Sequence, residues 1–381
     1  MSAVTHDAPS RPGQTPPTRL SPRPESAPRR HGVSRGAAGR PPPGSLSPAE
    51  VRESSQAVAL LARVLGGAWC DPPPYLPLDE EELERVTPLL LASRTTALGW
   101  WRIRQSPLRD TPAASQLQKA YLFGTLDAAV CERQVEQAIR LLRAAGVDHL
   151  LVEDWPVARL YSERGLRPCT DVDLCVRPEQ YAAAFSALSG PDSPGLPVHL
   201  RQGVAELDDR GLDELYLRSR LAMLGGARVR LLGAEDQLRY LCLRLLARPT
   251  QMPLALCDVA AALETSDPEF DWGYCLSGDR WRSAWVVCAL GLAHRILGAR
   301  LDWAPKALRR HRLPGWLVPA VLRRWETGLR RAVVGPDVKP FRPRWPDAVE
   351  ATARLRAPLN GLPRQPFQLC LYLARLARAA L

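Results

Sequence analysis

Two aspartates two residues apart in a β-prone apolar run constrain the fold most. Asp171 and Asp173 begin the run that ends at Val176. Because residues i and i+2 of a strand point to the same face, the two carboxylates would project side by side, about 6–7 Å apart. Two carboxylates placed in this way can hold one or two Mg²⁺ ions that bind nucleotide phosphates. The alternative is that one aspartate caps the next element and the other is solvated.

Length and hydropathy indicate a globular chain. The 381 residues suggest about two domains. The longest apolar stretch, residues 284–293, is too short to cross a bilayer, and the N-terminal residues lack the apolar segment of a signal peptide. We therefore expect a cytoplasmic protein with no membrane partner.

The nine cysteines are scattered along the chain. They include no C-x-x-C pair, which argues against a zinc site. An odd number without a regular spacing also argues against a disulfide framework. We expect most of these cysteines to be small buried hydrophobes.

The net charge of +11 allows an anionic partner. Residues 295–381 carry 18 Arg or Lys against five Asp or Glu, which keeps a nucleic-acid-binding adaptor among the alternatives. No helix-turn-helix, zinc finger or aromatic RNA-binding signature accompanies this charge. We therefore prefer the interpretation that these arginines are solvated helix faces, and we do not expect nucleic acid as a partner.

Composition and periodicity divide the chain into four regions. Residues 1–46 form a Pro/Arg-rich leader that we expect to be disordered, because it has too few apolar residues to offset the entropy of ordering. Residues 47–145 show helical spacing, with one helix predicted over about 80–102. Residues 146–232 form a small α/β core. Residues 233–381 are predicted to be helical, ending in an amphipathic helix from about 364.

The α/β core contains four predicted strands, in an α/β (α+β) fold with a small mixed sheet between helical regions. The strands are predicted over residues 149–152, 171–176, 198–204 and 227–232.

Three sequence blocks carry a family resemblance. They are Leu160-Tyr161, Gly165-Leu166-Arg167-Pro168, and the segment from Asp171 to Pro178 that contains Asp-Val-Asp-Leu. Their order and spacing resemble the uncharacterised bacterial nucleotidyltransferase family of the polymerase-β-like superfamily. Weaker similarity, which includes Val198-His199-Leu200, extends the resemblance to roughly residues 112–297.

The resemblance implies Mg²⁺-dependent transfer of a nucleotidyl group from an NTP to an acceptor. By the same resemblance, Asp171 and Asp173 are the catalytic residues and metal ligands, and Arg167 positions them or a phosphate; the alternative for Arg167 is an ordinary surface arginine. His199 would line the nucleotide pocket, although a lone histidine on a strand more often has a structural role. The acceptor could be a small molecule, a peptide or a protein, and the resemblance makes a peptide natural product one candidate.

Two departures from the family pattern bear on activity. Val152-Glu153, followed by Asp154, occupies the place of the family's Lys-Gly phosphate loop. Each unscreened carboxylate there would repel a triphosphate by about 4 kcal/mol at about 4 Å and an effective dielectric near 20. The third acidic ligand is replaced by Pro197-Val198. The nearby candidates to substitute for it are Glu206, Asp208 and Asp209.

Three functions follow from these observations. In the first, the site is active and Glu153 or Asp154 joins the metal cluster and the nucleotide-binding residues. In the second, the fold is catalytically degenerate and binds a nucleotide or serves as a scaffold for a partner. The third is the nucleic-acid-binding adaptor.

Overall fold

The computed structural model describes residues 48–190, 196–247 and 252–334, all of them in one compact unit. The predicted disordered leader over residues 1–46 and the predicted terminal helix from 364 lie outside the described residues. Within the described ranges, no helix has the length and apolarity needed to cross a membrane.

Four helices precede the sheet. They are α1 (Pro48–Leu65), α2 (Glu80–Ala92), α3 (Thr96–Ile103) and α4 (Pro112–Ala144). The prediction of a single helix over about 80–102 is wrong, because helix α2 ends at Ala92 and a separate helix, α3, begins at Thr96. Arg94 adopts a positive φ of 59°, and the Ser93 and Thr95 hydroxyls hydrogen-bond to each other at 2.7 Å. A helix cannot continue through a residue with positive φ.

A five-stranded mixed sheet forms the centre of the molecule. Its elements along the chain are β1 (Leu150–Leu151), α5 (Trp155–Ala158), β2 (Val172–Val176), α6 (Tyr181–Leu188), β3 (Val198–Gln202), α7 (Leu212–Arg218), β4 (Arg220–Leu224) and β5 (Ala227–Leu231). The strand order is β3-β2-β1-β5-β4. β2 runs parallel to β3 and β1 parallel to β5, whereas β1–β2 and β4–β5 are antiparallel. The predicted fold class, a small mixed sheet flanked by helices, is confirmed.

Six helices follow the sheet in the described residues. They are α8 (Ala234–Ala247), α9 (Met252–Glu264), α10 (Trp272–Cys275), α11 (Arg280–Leu297), α12 (Lys306–Arg309) and α13 (Leu317–Val334). Apolar residues of α8, α9, α11 and α13 join those of α1–α3 in one core cluster. These helices therefore cover the face of the sheet opposite the one covered by α4 and α6.

The two faces of β2 have different roles. Val172, Leu174 and Val176 are fully buried in a second cluster with residues of α4 and α6. Because side chains alternate along a strand, Asp171 and Asp173 point to the other face, towards α8.

A disulfide links α4 to the segment that leads into β2. It joins Cys131 and Cys169, so the sequence argument against disulfides is wrong for this pair, although both residues are buried, as expected. Of the remaining described cysteines, Cys175, Cys242, Cys257 and Cys275 are free and buried, as expected.

Candidate functional site

The acidic strand β2 presents two carboxylates of unequal exposure. Asp171 directly precedes the strand and is partly buried, whereas Asp173 is only 3% exposed. The neighbouring strand β3 pairs His199 opposite Asp173 and Arg201 opposite Cys175. Asp171, Asp173, His199 and Arg201 therefore share one face of the sheet, in agreement with the predicted grouping of the two aspartates with His199.

Asp173 is bound by two basic side chains of β3. Arg201 Nη2 donates to Asp173 Oδ1 at 2.7 Å, and His199 Nδ1 lies 3.4 Å from the same oxygen. Burial alone would raise the pKa of Asp173, but the His199 hydrogen bond and the Arg201 charge outweigh it and lower that pKa. The hydrogen bond to Asp173 in turn raises the pKa of His199, and the charge of Asp171 adds to this effect. Asp173 is consequently ionised at neutral pH.

Arg201 is the centre of an acidic cluster. Its guanidinium contacts Asp173, Glu153 at 3.0 Å and Glu206 at 3.9 Å. Its side chain is 13% exposed. Burial alone would lower the pKa of Arg201, but the negative charges around it raise the pKa further above its usual range. One buried cation therefore joins β2, the loop after β1 and the segment after β3.

Helix α8 also contacts Glu153, at the oxygen that Arg201 contacts. The Tyr240 hydroxyl donates to Glu153 Oε1, and Arg244 forms an ion pair with the same carboxylate. Tyr240 and Arg244 lie four residues apart, so they share a face of the helix. Glu153 is 3% exposed. The carboxylate that replaces the expected glycine is thus neutralised by neighbouring side chains.

Asp154 organises the entry to the acidic strand. It has a positive φ of 56°, a region that disfavours residues other than glycine. Its Oδ2 accepts from the backbone N–H of Thr170 at 2.9 Å and of Asp171 at 3.1 Å. These bonds fix the position of Asp171 relative to the loop after β1. Asp154 therefore contacts the backbone of Asp171 and pairs with Arg167.

Arg167 is a buried positioning residue. It forms ion pairs with Asp154 and with Asp258 of α9, the latter at 3.4 Å. Tyr161 donates a hydrogen bond to the other oxygen of Asp258 at 2.7 Å. The carboxylates raise the pKa of Arg167 against the effect of its burial. Of the two predicted roles, the geometry favours positioning the strand over direct phosphate contact.

The glycine of the Gly-Leu-Arg-Pro block is required by packing. Gly165 has a φ of +80°, and a Cβ atom there would lie 2.5 Å from the backbone nitrogen of Thr125 in α4. This close approach fixes the segment that carries Arg167 against α4.

Proline occupies the place of the third carboxylate. The pairing of Val172 with Val198 puts Pro197 opposite Asp171, and the Val172 N–H donates to the Pro197 carbonyl at 3.0 Å. Of the three candidates to substitute, Glu206 alone reaches the cluster. Asp208 and Asp209 instead form ion pairs with Arg282 and Arg239.

The chemistry of the donors suits Mg²⁺. Among the described residues, no group of three or more His, Cys, Asp or Glu side chains could hold a metal ion. Proteins, however, commonly bind Mg²⁺ through one or two carboxylates, with substrate phosphates and water completing the octahedron. Glu153, Asp173 and Glu206 form ion pairs with Arg201, Glu153 also pairs with Arg244, and Asp171 lies on the same sheet face. These four carboxylates and two guanidinium groups sum to a formal charge of −2 before His199 is counted. A divalent cation would compensate that charge.

Several residues of the site were not predicted from the sequence. Arg201, Tyr240 and Arg244 carry no motif of their own, and Asp258 lies in a weakly similar segment for which no site role was predicted. Arg201 could have been found from the strand period, because it lies two residues after His199 and so shares its face. The other three come from distant helices, and no local signal indicates their position.

Residues 79–191 match the family model described as "Uncharacterised nucleotidyltransferase". The matched segment includes β1, the loop at Glu153 and the acidic strand β2, whereas β3 and α8 lie beyond it. No curated protein and no solved structure matched the chain. Residues 79–191, which contain the two aspartates and their Arg-Pro lead-in, are therefore similar to a nucleotidyltransferase domain.

Proposed function

We propose that this protein binds an NTP with Mg²⁺ at Asp171 and Asp173 and transfers a nucleotidyl group to an acceptor. The observation that carries the proposal is the position of both carboxylates on one sheet face, beside the loop after β1, in a cluster with excess negative charge. Bound there, Mg²⁺ would neutralise charge on the phosphates.

The reaction forms a bond between an acceptor oxygen or nitrogen and the α-phosphorus and breaks the bond to the β-phosphate oxygen. Pyrophosphate leaves, and the acceptor proton passes to a carboxylate of the cluster. Asp154 holds the Asp171 backbone, and His199 and Arg201 keep Asp173 ionised.

The loop after β1, which carries Glu153 and Asp154, is compatible with a bound triphosphate if both carboxylates keep their ion pairs with arginine. Glu153 is neutralised by Arg201, Arg244 and Tyr240, and Asp154 by Arg167. The repulsion calculated for an unscreened carboxylate therefore does not apply in full. In this proposal both residues shape the loop through their arginine partners, and His199 lines the nucleotide pocket through its contact with Asp173.

Isothermal titration with ATP, GTP, CTP and UTP, in Mg²⁺ and again in EDTA, tests the proposal. We expect at least one NTP to bind more tightly in Mg²⁺ than in EDTA, and Asp171→Asn/Asp173→Asn to abolish this Mg²⁺-dependent part of the binding. Asp110→Asn/Asp302→Asn removes the same two charges at exposed positions and should leave binding unchanged. Absence of binding by every NTP at millimolar concentration would reject the proposal.

A second candidate is a catalytically degenerate fold that acts as a scaffold for a partner. Arg201 occupies the carboxylate of Asp173, and Pro197 stands in place of a third acidic ligand. This candidate predicts a folded protein that binds no NTP in the titration above. Under either candidate we place the protein in the cytoplasm, where NTPs and Mg²⁺ are available.

The acceptor and the basic C-terminal region need separate tests. A small molecule, a peptide or a protein could supply the attacking group, and a peptide natural product is the acceptor suggested by family resemblance. The nucleic-acid-binding adaptor predicts a salt-sensitive gel shift that disappears when residues 295–381 are removed. We expect no shift at physiological salt.

A further inference from the structure

A cavity of about 390 Å³ lies beside strands β4 and β5, two strands away from the acidic strand. Its volume is within the range of small-molecule sites. Residues that line it include Arg159, Leu160, Arg220, Leu231, Gln237 and Thr265. None of the lining residues belongs to the acidic cluster around Arg201.

Gln237 of α8 provides a polar group inside the cavity. It is 2% exposed, and neither the oxygen nor the nitrogen of its side-chain amide has a hydrogen-bond partner among the described residues. A buried amide without hydrogen-bond partners is unfavourable, because its hydrogen bonds to water are lost and not replaced. A ligand that offers both a donor and an acceptor would satisfy the amide and replace those hydrogen bonds.

Two arginines on the cavity lining provide positive charge. Arg159 and Arg220 are exposed, and neither forms an ion pair within the described part of the chain. Arg159 stacks on Trp155, with 4.9 Å between its guanidinium carbon and the ring centroid. Desolvation and then the charge of Arg159 lower the pKa of Arg220. An anion placed between them would relieve this repulsion.

The carboxylate whose charge acts on Arg220 is already bound by other groups. Glu235 contributes to the electrostatic environment of Arg220, but it forms an ion pair with Arg218 at 3.4 Å and accepts from the Asp271 N–H at 3.2 Å. The charge on Arg159 and Arg220 is therefore available to a ligand.

We propose that this cavity is a binding site for a small organic anion. A carboxylate or phosphate group would lie between Arg159 and Arg220, and an amide or heterocycle edge would pair with Gln237. The site does not depend on the acidic cluster, so it stands independently of nucleotidyl transfer.

Isothermal titration in EDTA, with two sets of probes, tests the cavity. The phosphate arm uses AMP, GMP, CMP and UMP against their uncharged nucleosides. The carboxylate arm uses N-acetyl-alanyl-alanine against its C-terminal amide. We expect an anionic probe of one arm to bind at least tenfold more tightly than its uncharged counterpart, a difference of about 1.4 kcal/mol.

Substitutions of the cavity residues test whether the anionic probe binds there. Arg159→Gln/Arg220→Gln and, separately, Gln237→Met should each weaken it at least tenfold. Arg228→Gln removes an exposed arginine of β5 outside the cavity lining and should leave binding unchanged. Asp171→Asn/Asp173→Asn should also bind as the wild type does, which separates this site from the proposed NTP site.

Three results would overturn the proposal. The first is absence of binding by every anionic probe at millimolar concentration, and the second is equal binding by the double arginine variant. The third is a marked loss of stability in Gln237→Met by urea denaturation, because removal of an unsatisfied amide should leave the free energy of unfolding unchanged or higher.

Discussion

Replacing Arg201 with methionine removes the buried cation that joins Asp173 to Glu153. Methionine has a similar length but no charge and no hydrogen-bond donor. Breaking a buried ion pair typically costs about 3–5 kcal/mol, because a charge is left uncompensated in the interior. Glu153 keeps Tyr240 and Arg244, and Asp173 keeps only His199 among these contacts. We therefore expect the lower end of that range, about 3 kcal/mol.

The cost of Arg201→Met should depend on pH. In the wild type the folded-state pKa of Asp173 lies below its usual range. Such a carboxylate contributes stability that is present above the unfolded-state pKa of about 3.9 and is lost as the pH falls through the folded-state pKa. Without Arg201, burial raises the pKa of Asp173, so protonation at low pH relieves the unpaired charge. The difference between wild type and variant should therefore be larger at pH 7 than at pH 4.

Urea denaturation at both pH values measures this effect. Arg228→Met, an exposed arginine of β5, is the control and should change the free energy of unfolding by less than about 0.5 kcal/mol. A double-mutant cycle with Asp173→Asn should give a coupling energy of about 0.5–3 kcal/mol. A cost below about 1 kcal/mol at pH 7, or the same cost at both pH values, would refute the assignment of Arg201 as the buried partner of Asp173.

Three further substitutions test the surrounding network. Arg167→Met leaves Asp154 and Asp258 without their shared cation and should destabilise the fold by about 3–5 kcal/mol in urea denaturation; an effect as small as that of Arg228→Met would contradict its positioning role. Tyr161→Phe removes one hydrogen bond to the Asp258 carboxylate and should cost less, about 1.5–3 kcal/mol, and no change would mean that the 2.7 Å contact contributes nothing. The folded-state pKa of His199 is raised. Its contribution to the free energy of unfolding is therefore fully present below its unfolded-state pKa of about 6.5 and is lost as the pH rises through the folded-state pKa. The stability difference between wild type and His199→Gln should therefore be larger at pH 5.5 than at pH 8.5, and the opposite trend would exclude the His199–Asp173 contact.

Local patterns predicted the central strands of the fold well. The alternation around Asp171 and Asp173 predicted β2 and the shared face of its carboxylates, and the structure agrees. Strand β4 was not predicted because four of its five residues are partly or fully exposed at the edge of the sheet. Strand β4 lacks the buried face that generates the period-two pattern.

The environment of the acidic loop could not be predicted from the sequence. Glu153 and Asp154 indicated repulsion of phosphate when considered alone. Their arginine partners lie 13 to 91 positions away along the chain, at Arg167, Arg201 and Arg244. Because ion pairs between distant segments depend on the packing of α8 and β3 against the loop, no local pattern indicates them.

The central claim is that Asp171 and Asp173 hold a divalent cation together with a nucleotide. Mn²⁺ can replace Mg²⁺ because both take oxygen ligands, and its electron paramagnetic resonance signal reports binding directly. In a titration of Mn²⁺ with a fixed NTP concentration, we predict that the wild type and Asp110→Asn/Asp302→Asn broaden the signal beyond that of free Mn²⁺–NTP. Asp171→Asn/Asp173→Asn should give the spectrum of free Mn²⁺–NTP. Identical spectra for the wild type and the Asp171/Asp173 variant would contradict the account.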